Sequence, residues 1–140
     1  MQDVVVTQLE VRWGECDAAG IVYHPVYIDW FSVARMHWLK ANGVNYMEAF
    51  HDNGVVLVVT GVQSQFKKTL RAEDLVTVEA RLVKMTRTRI EMAYQVFNNK
   101  HELCAEGGTQ HSYVNQRNKA VNVAKAAPAL WELLAPFEKQ

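Results

Sequence analysis

Cysteine is scarce in this chain, with only Cys16 and Cys104 among 140 residues and no CxxC spacing. That excludes a disulfide framework and a cysteine-based zinc site. Proline and glycine are few, three and seven, and no stretch is rich enough in them to read as a linker. Residues 1–140 therefore read as one domain. Charge of one sign has no surplus either, since 15 Lys+Arg offset 15 Asp+Glu. General nucleic-acid binding relies on a basic excess and is disfavoured, which leaves only the local patch FKKTLR (Phe66–Arg71). No apolar run approaches the ~18 residues needed to span a bilayer. The opening MQDVVVTQLEV lacks the basic start and long apolar core of a signal peptide. The expectation is a cytoplasmic protein without membrane insertion.

What is plentiful is apolar side chain, 49% of the sequence. A chain this long buries roughly two-thirds of its unfolded surface and needs no metal or disulfide to fold. Residues 4–13 read as a first strand. The segment VYIDWFSVARMHWLKANG then has the length of a four-turn helix. Pro25 stands at its start, where a missing N–H costs little, and Asn42-Gly43 ends it. Tyr27, Phe31, Ala34 and Trp38 form one stripe, while Ile28, Trp30, Val33, Met36 and Leu39 spread over much of the rest. A helix so apolar is expected to be covered on most sides.

The cover comes next. A short helix is expected over 45–54, then a long apolar strand, Val55–Phe66. The segments 75–85 and 89–97 alternate with the period of two of half-buried antiparallel strands. A last strand follows over 102–115, and its Gly107-Gly108 pair suggests a bulge or a close backbone approach. Pro128 opens a terminal amphipathic helix. This order gives an α+β fold, a five-stranded antiparallel sheet around a central helix. Such a sheet leaves an edge strand unpaired, so a homodimer at least is expected, with a dimer of dimers (a homotetramer) as the larger assembly.

The chemistry centres on ECDAAGIVYHPVY, residues 15–27. Asp17 lies between a strand end and the positive end of the apolar helix. A carboxylate beside unpaired backbone N–H groups provides two parts of an acyl-transfer site, a nucleophile or base and an oxyanion hole. A loop aspartate also serves as a simple turn cap. Cys16 has no histidine base at hand and reads as a small packing residue. Glu48, His51 and Asp52 read as a solvated helix face rather than a metal site.

The stretch CDAAGIVYHPVYIDWFSVAR resembles the signature of the 4-hydroxybenzoyl-CoA thioesterase family of hotdog-fold enzymes. That branch includes acyl-CoA thioesterases associated with the Tol-Pal system. Asp17, Gly20, Ile21, Val22, Tyr23, His24, Tyr27 and the helix to Arg35 match in order. The resemblance implies that Asp17 is the catalytic carboxylate, as nucleophile or as general base for water. It implies that the backbone N–H of His24 holds the thioester oxygen and that Gly20 lets the loop pass close. Tyr23 and Tyr27 would line the acyl pocket or a dimer seam, and Gly61 with the following VQSQF an acyl tunnel.

Coenzyme A, as part of the substrate, carries phosphates that suit Lys67, Lys68, Arg87 and Arg89. No cofactor is expected. The function implied is hydrolysis of a short-chain or aromatic acyl-CoA. The alternative is a hotdog protein that binds acyl-CoA or acyl carrier protein, or dehydrates an acyl chain, without hydrolysis.

Overall fold

Apolar side chains at every second position draw 75–85 and 89–97 into extended strands that bury one face. The computed structural model describes residues 2–140. Its strands are β1 (Val4–Glu10), β2 (Val56–Phe66), β3 (Leu75–Met85), β4 (Arg89–Phe97) and β5 (Leu103–Val114). They form one antiparallel sheet in the order β1-β3-β4-β5-β2. Val78 pairs with Val96, Ala80 with Tyr94 and Leu82 with Met92, all on the buried face. β1 stops three residues short of Trp13, because residues 13–15 close a single 3₁₀ turn.

Helix α1 (Val26–Ala41) lies against that face, with Pro25 before it and Gly43 in the left-handed region (φ +84°) after it. Tyr27, Phe31, Ala34 and Trp38 are buried, as their stripe predicts. Each large side chain so buried contributes about 1.5–3 kcal/mol. The expectation of cover on most sides is met only toward the sheet. Ile28 and Val33 remain 37% and 42% exposed, because one five-stranded sheet can cover only one side of a helix.

The segment expected as one short helix divides into α2 (Tyr46–Ala49) and a 3₁₀ turn at His51–Asn53. Two short helices close the chain, α3 (Val123–Ala126) and α4 (Pro128–Leu134). α4 begins at Pro128 as expected. α3, unanticipated, is capped by Asn122, whose Oδ1 accepts the Ala124 and Lys125 N–H groups. Gly107 is where α1 meets the sheet most closely. A Cβ there would stand 2.2 Å from the Gln63 carbonyl oxygen and 2.8 Å from the Phe31 ring. No register shift falls at Gly107-Gly108, so the pair marks a close approach and not a bulge.

Candidate active site

The loop from β1 into α1 is tied down from both sides. The Arg12 N–H donates to Glu15 Oε1 (2.8 Å) and the Trp30 indole N–H to Glu15 Oε2 (2.9 Å). The Tyr23 N–H donates to the Glu15 carbonyl and the Val22 N–H to that of Leu70. Burial alone would raise the Glu15 pKa. The Arg12 backbone N–H, the Trp30 N–H and the Arg12 guanidinium together hold it below the ordinary value. A charged carboxylate therefore pins the 3₁₀ turn to the first turns of α1.

Within this frame residues 17–21 fold back on themselves. The Asp17 N–H donates to the Ile21 carbonyl (2.9 Å), and the Gly20 N–H to the Asp17 carbonyl (3.0 Å). Gly20 has φ +79°, a conformation that glycine adopts without a Cβ penalty. Asp17 does cap this turn, its Oδ1 accepting the Ala19 N–H at 2.8 Å. Its Oδ2 accepts nothing from the described residues, and the side chain is exposed. One oxygen is held while the other is open.

At the start of α1 the N–H groups of Val26, Tyr27 and Ile28 donate to the carbonyls of Tyr23, His24 and Pro25. Pro25 has no N–H. The N–H of His24 has no acceptor among the described residues, so it is the donor left over at the positive end of the helix.

A cavity of about 320 Å³ opens here, lined by His24, Tyr27, Phe66, Lys67, Lys68 and the Ile21–Val22 turn. Tyr27 stands edge-on to Phe66, ring centres 5.1 Å apart, and His24 lies 6.4 Å from Phe66. Burial, then the neighbouring Cys104 and Cys16, push the Tyr27 phenol up to about 12. It is a neutral wall at physiological pH. Lys67 lies 3.8 Å from Glu106, and Lys68 is paired with Glu102. Both lysines are about half exposed at the cavity mouth.

The structure thus brings His24, Tyr27, Lys67 and Lys68 together, beside the turn that carries Asp17 and Gly20. It does not bring four other expected residues to this cavity, one of which, Arg87, lies over the Trp131 ring at 5.7 Å from its centre. Tyr23 points outward, 49% exposed, against the edge of His24. Gly61 sits at a register shift of β2, five residues from Phe66, or ~16 Å along a strand. Arg89 pairs with Ser112 at the opposite end of the sheet from Ala105 and Phe66, on the order of 20 Å away. His51 Nδ1 contacts Asp52 at 3.3 Å, exposed at the surface. Two features carry little signal in the sequence. The Glu15–Trp30 tie joins residues of unremarkable type, while Arg35 is announced only by being an arginine inside an apolar helix.

A carboxylate oxygen and an unpaired N–H at the two ends of one short loop can together attack and polarise a carbonyl. Residues 11–137 match the thioesterase-like superfamily. A Bacillus subtilis protein with a provisional acyl-CoA thioesterase name is 28% identical over 122 residues, 86% of this chain and 88% of that one. The 1,4-dihydroxy-2-naphthoyl-CoA hydrolase of Thermosynechococcus vestitus is 26% identical over 132 residues, 94% and 90% of the two chains. The crystal structure of a DHNA-CoA thioesterase from Staphylococcus aureus superposes with a TM-score of 0.89 at 27% identity. That match covers 96% of this chain and 90% of that one.

Proposed function

The chain belongs to the thioesterase-like superfamily, with the five-stranded antiparallel hotdog sheet of its structural relatives, and we propose that it hydrolyses the thioester of a short-chain or aromatic acyl-CoA. The observation that carries the reading is the N–H of His24, left without a protein acceptor beside the turn that presents the open oxygen of Asp17. The thioester carbonyl oxygen accepts this N–H, where the helix end stabilises the negative charge that develops. Asp17 either attacks the carbonyl carbon or takes a proton from the water that does. The C–S bond breaks, the acyl carbon gains one oxygen from water, and the proton ends on the coenzyme A thiol. Thiolate is a good leaving group, so the residues present suffice for the chemistry.

Tyr27 and Phe66 form the apolar wall for the acyl group, and Lys67 and Lys68 stand where phosphates of coenzyme A can reach them. The catalytic unit is a homo-oligomer, a dimer and then a dimer of dimers. The test is thiol release from a panel of acyl-CoA esters. Asp17→Asn should lower kcat/KM by about 10²–10⁴-fold with an unchanged circular dichroism spectrum. His24→Ala should lose far less, since its part is played by the backbone. Full activity in Asp17→Asn would sink the assignment. Loss of an acyl double bond without thiol release would favour a dehydratase instead.

A further inference from the structure

Arg35 is a cation in the wrong place. It lies on the buried side of α1, only 8% exposed, and no carboxylate among the described residues pairs with it. Its Nη1 donates to the Tyr94 hydroxyl (3.2 Å) and its Nη2 to Ser32 Oγ (3.3 Å). A guanidinium has five N–H donors, and Nε is buried with no partner among the described residues. Two further buried atoms share this want, Ser64 Oγ and His111 Nδ1. Behind Arg35 the polar chain continues, Tyr94 to Thr109 at 2.6 Å and Thr109 to His111 at 2.8 Å. Its last member carries no charge: burial, then the charge of Arg35, keeps the His111 imidazole unprotonated down to about pH 4. The nearby Val58 backbone opposes that shift without an ordinary hydrogen bond to Nδ1. A buried charge left unpaired is strongly destabilising, so an anion from outside the chain is the missing part.

The position says which anion. Ile28, Ser32, Arg35 and Leu39 recur at i, i+4, i+7 and i+11, one stripe of α1. The opposite flank faces β1, where His37 bonds Thr7. On the Arg35 stripe the guanidinium reaches β4 through Tyr94, and the stripe begins at Ile28, one turn from His24. On the sheet, Tyr94, Gly107 and Ser64 form one cross-strand row. Ser64 is two residues from Phe66 on the same face of β2, ~7 Å. Arg35 stands eleven residues from His24, about 16 Å of helix rise, and its side chain leans back toward the N-terminus. A distance of roughly 10 Å separates the proposed thioester position from the guanidinium, the length of a medium acyl chain or a substituted ring.

We propose that Arg35, with Ser64, receives a carboxylate at the far end of the acyl group, so that the preferred substrates are CoA thioesters of dicarboxylic acids. This rests on the thioesterase reading of the same site. The experiment compares length-matched pairs, hexanoyl-CoA with adipoyl-CoA and benzoyl-CoA with 4-carboxybenzoyl-CoA, by kcat/KM for thiol release. The protein should prefer the anionic member of each pair. In Arg35→Met that preference ratio should fall by about 10- to 100-fold, and Arg35→Lys should keep part of it. Ser64→Ala should lower it less. Arg35→Met should not lower Tm, because an apolar side chain replaces an unpaired buried charge.

A ratio at or below one in the unmutated protein, or the same ratio in Arg35→Met, overturns the proposal and leaves the thioesterase reading standing. If no ester releases thiol, that reading has failed, and calorimetric binding of adipoyl-CoA decides the rest. At least about tenfold weaker binding to Arg35→Met supports the carboxylate site, and equal binding overturns it.

Discussion

Under the proposed thioesterase reading, Glu15 would set a rate by holding the loop, since its carboxylate is engaged by Arg12 and Trp30. Each carboxylate oxygen accepts one N–H, from Arg12 and from Trp30. Glutamine at this position offers a single acceptor, so one of the two donors would face an NH₂ group instead. The 3₁₀ turn would then be free to shift against α1 and carry Asp17 with it. Misplacement by about 1 Å can cost up to ~10²-fold in rate. Glu15→Gln should therefore lower kcat by roughly tenfold or more while KM changes little, and Trp30→Phe should give a milder form of the same effect. A matching rise in KM would instead mean that Glu15 shapes binding. The turn that carries Asp17, Gly20 and His24 is legible in the sequence because their order forms a dense motif. The clamp is not, because Glu15 and Trp30 are fifteen residues apart and gain meaning only when α1 turns the indole toward the loop. Arg89 and Gly61 show the converse: their types suit the task, but strand register puts them away from this cavity within one chain.

The same division holds for elements. Alternation made β3 and β4 readable to the residue, 75–85 and 89–97, since the period of two is the burial pattern itself. Ends without a periodic signal drifted, as where β1 yields to the turn at Trp13–Glu15. α3, four residues long, has too few positions to show any period. In sequence the Gly107-Gly108 pair is compatible with a bulge or a close contact, and only packing chooses between them. Phe31 lies parallel to Tyr94, ring centres 4.6 Å apart, and its edge reaches over Gly107 to seat α1 on the sheet. A methyl at Gly107 would collide with the Gln63 backbone as well as with Phe31, and a backbone carbonyl in a paired strand cannot step aside. Gly107→Ala should cost about 1–3 kcal/mol and lower Tm by roughly 5–10 °C. Gly14, whose Cβ would meet nothing within 4 Å, should accept alanine with almost no change, which gives the thermal scan its control.

At the scale of the whole molecule, stability and assembly both follow from what lies between α1 and β2. His111 is 1% exposed, and its pKa falls to about 4 through burial and the charge of Arg35. An unfolded histidine titrates near 6.5, so the folded state binds fewer protons between these values. Stability from this group is complete above about pH 6.5 and is lost as pH falls toward 4, at most about 3 kcal/mol. Denaturant unfolding across this range should show that slope, and His111→Gln should flatten it whatever its effect on absolute stability. β2 itself closes the sheet on one side with an unpaired edge. Val59, Val62 and Phe66 along it are 52%, 41% and 50% exposed. A long edge with apolar side chains is a template for another strand, and the simplest partner that completes it symmetrically is a second copy. Light scattering should then give twice 16.0 kDa or a higher even multiple. A charged β2, Val59→Lys with Val62→Lys, should give the monomer, because lysines along an open edge oppose its pairing with another strand. Activity should fall with the assembly, since Phe66 and the Lys67–Lys68 mouth of the cavity lie at the end of the same strand. A fully active monomer would show instead that one chain holds the whole site, and the exposed valines would then need another occupant.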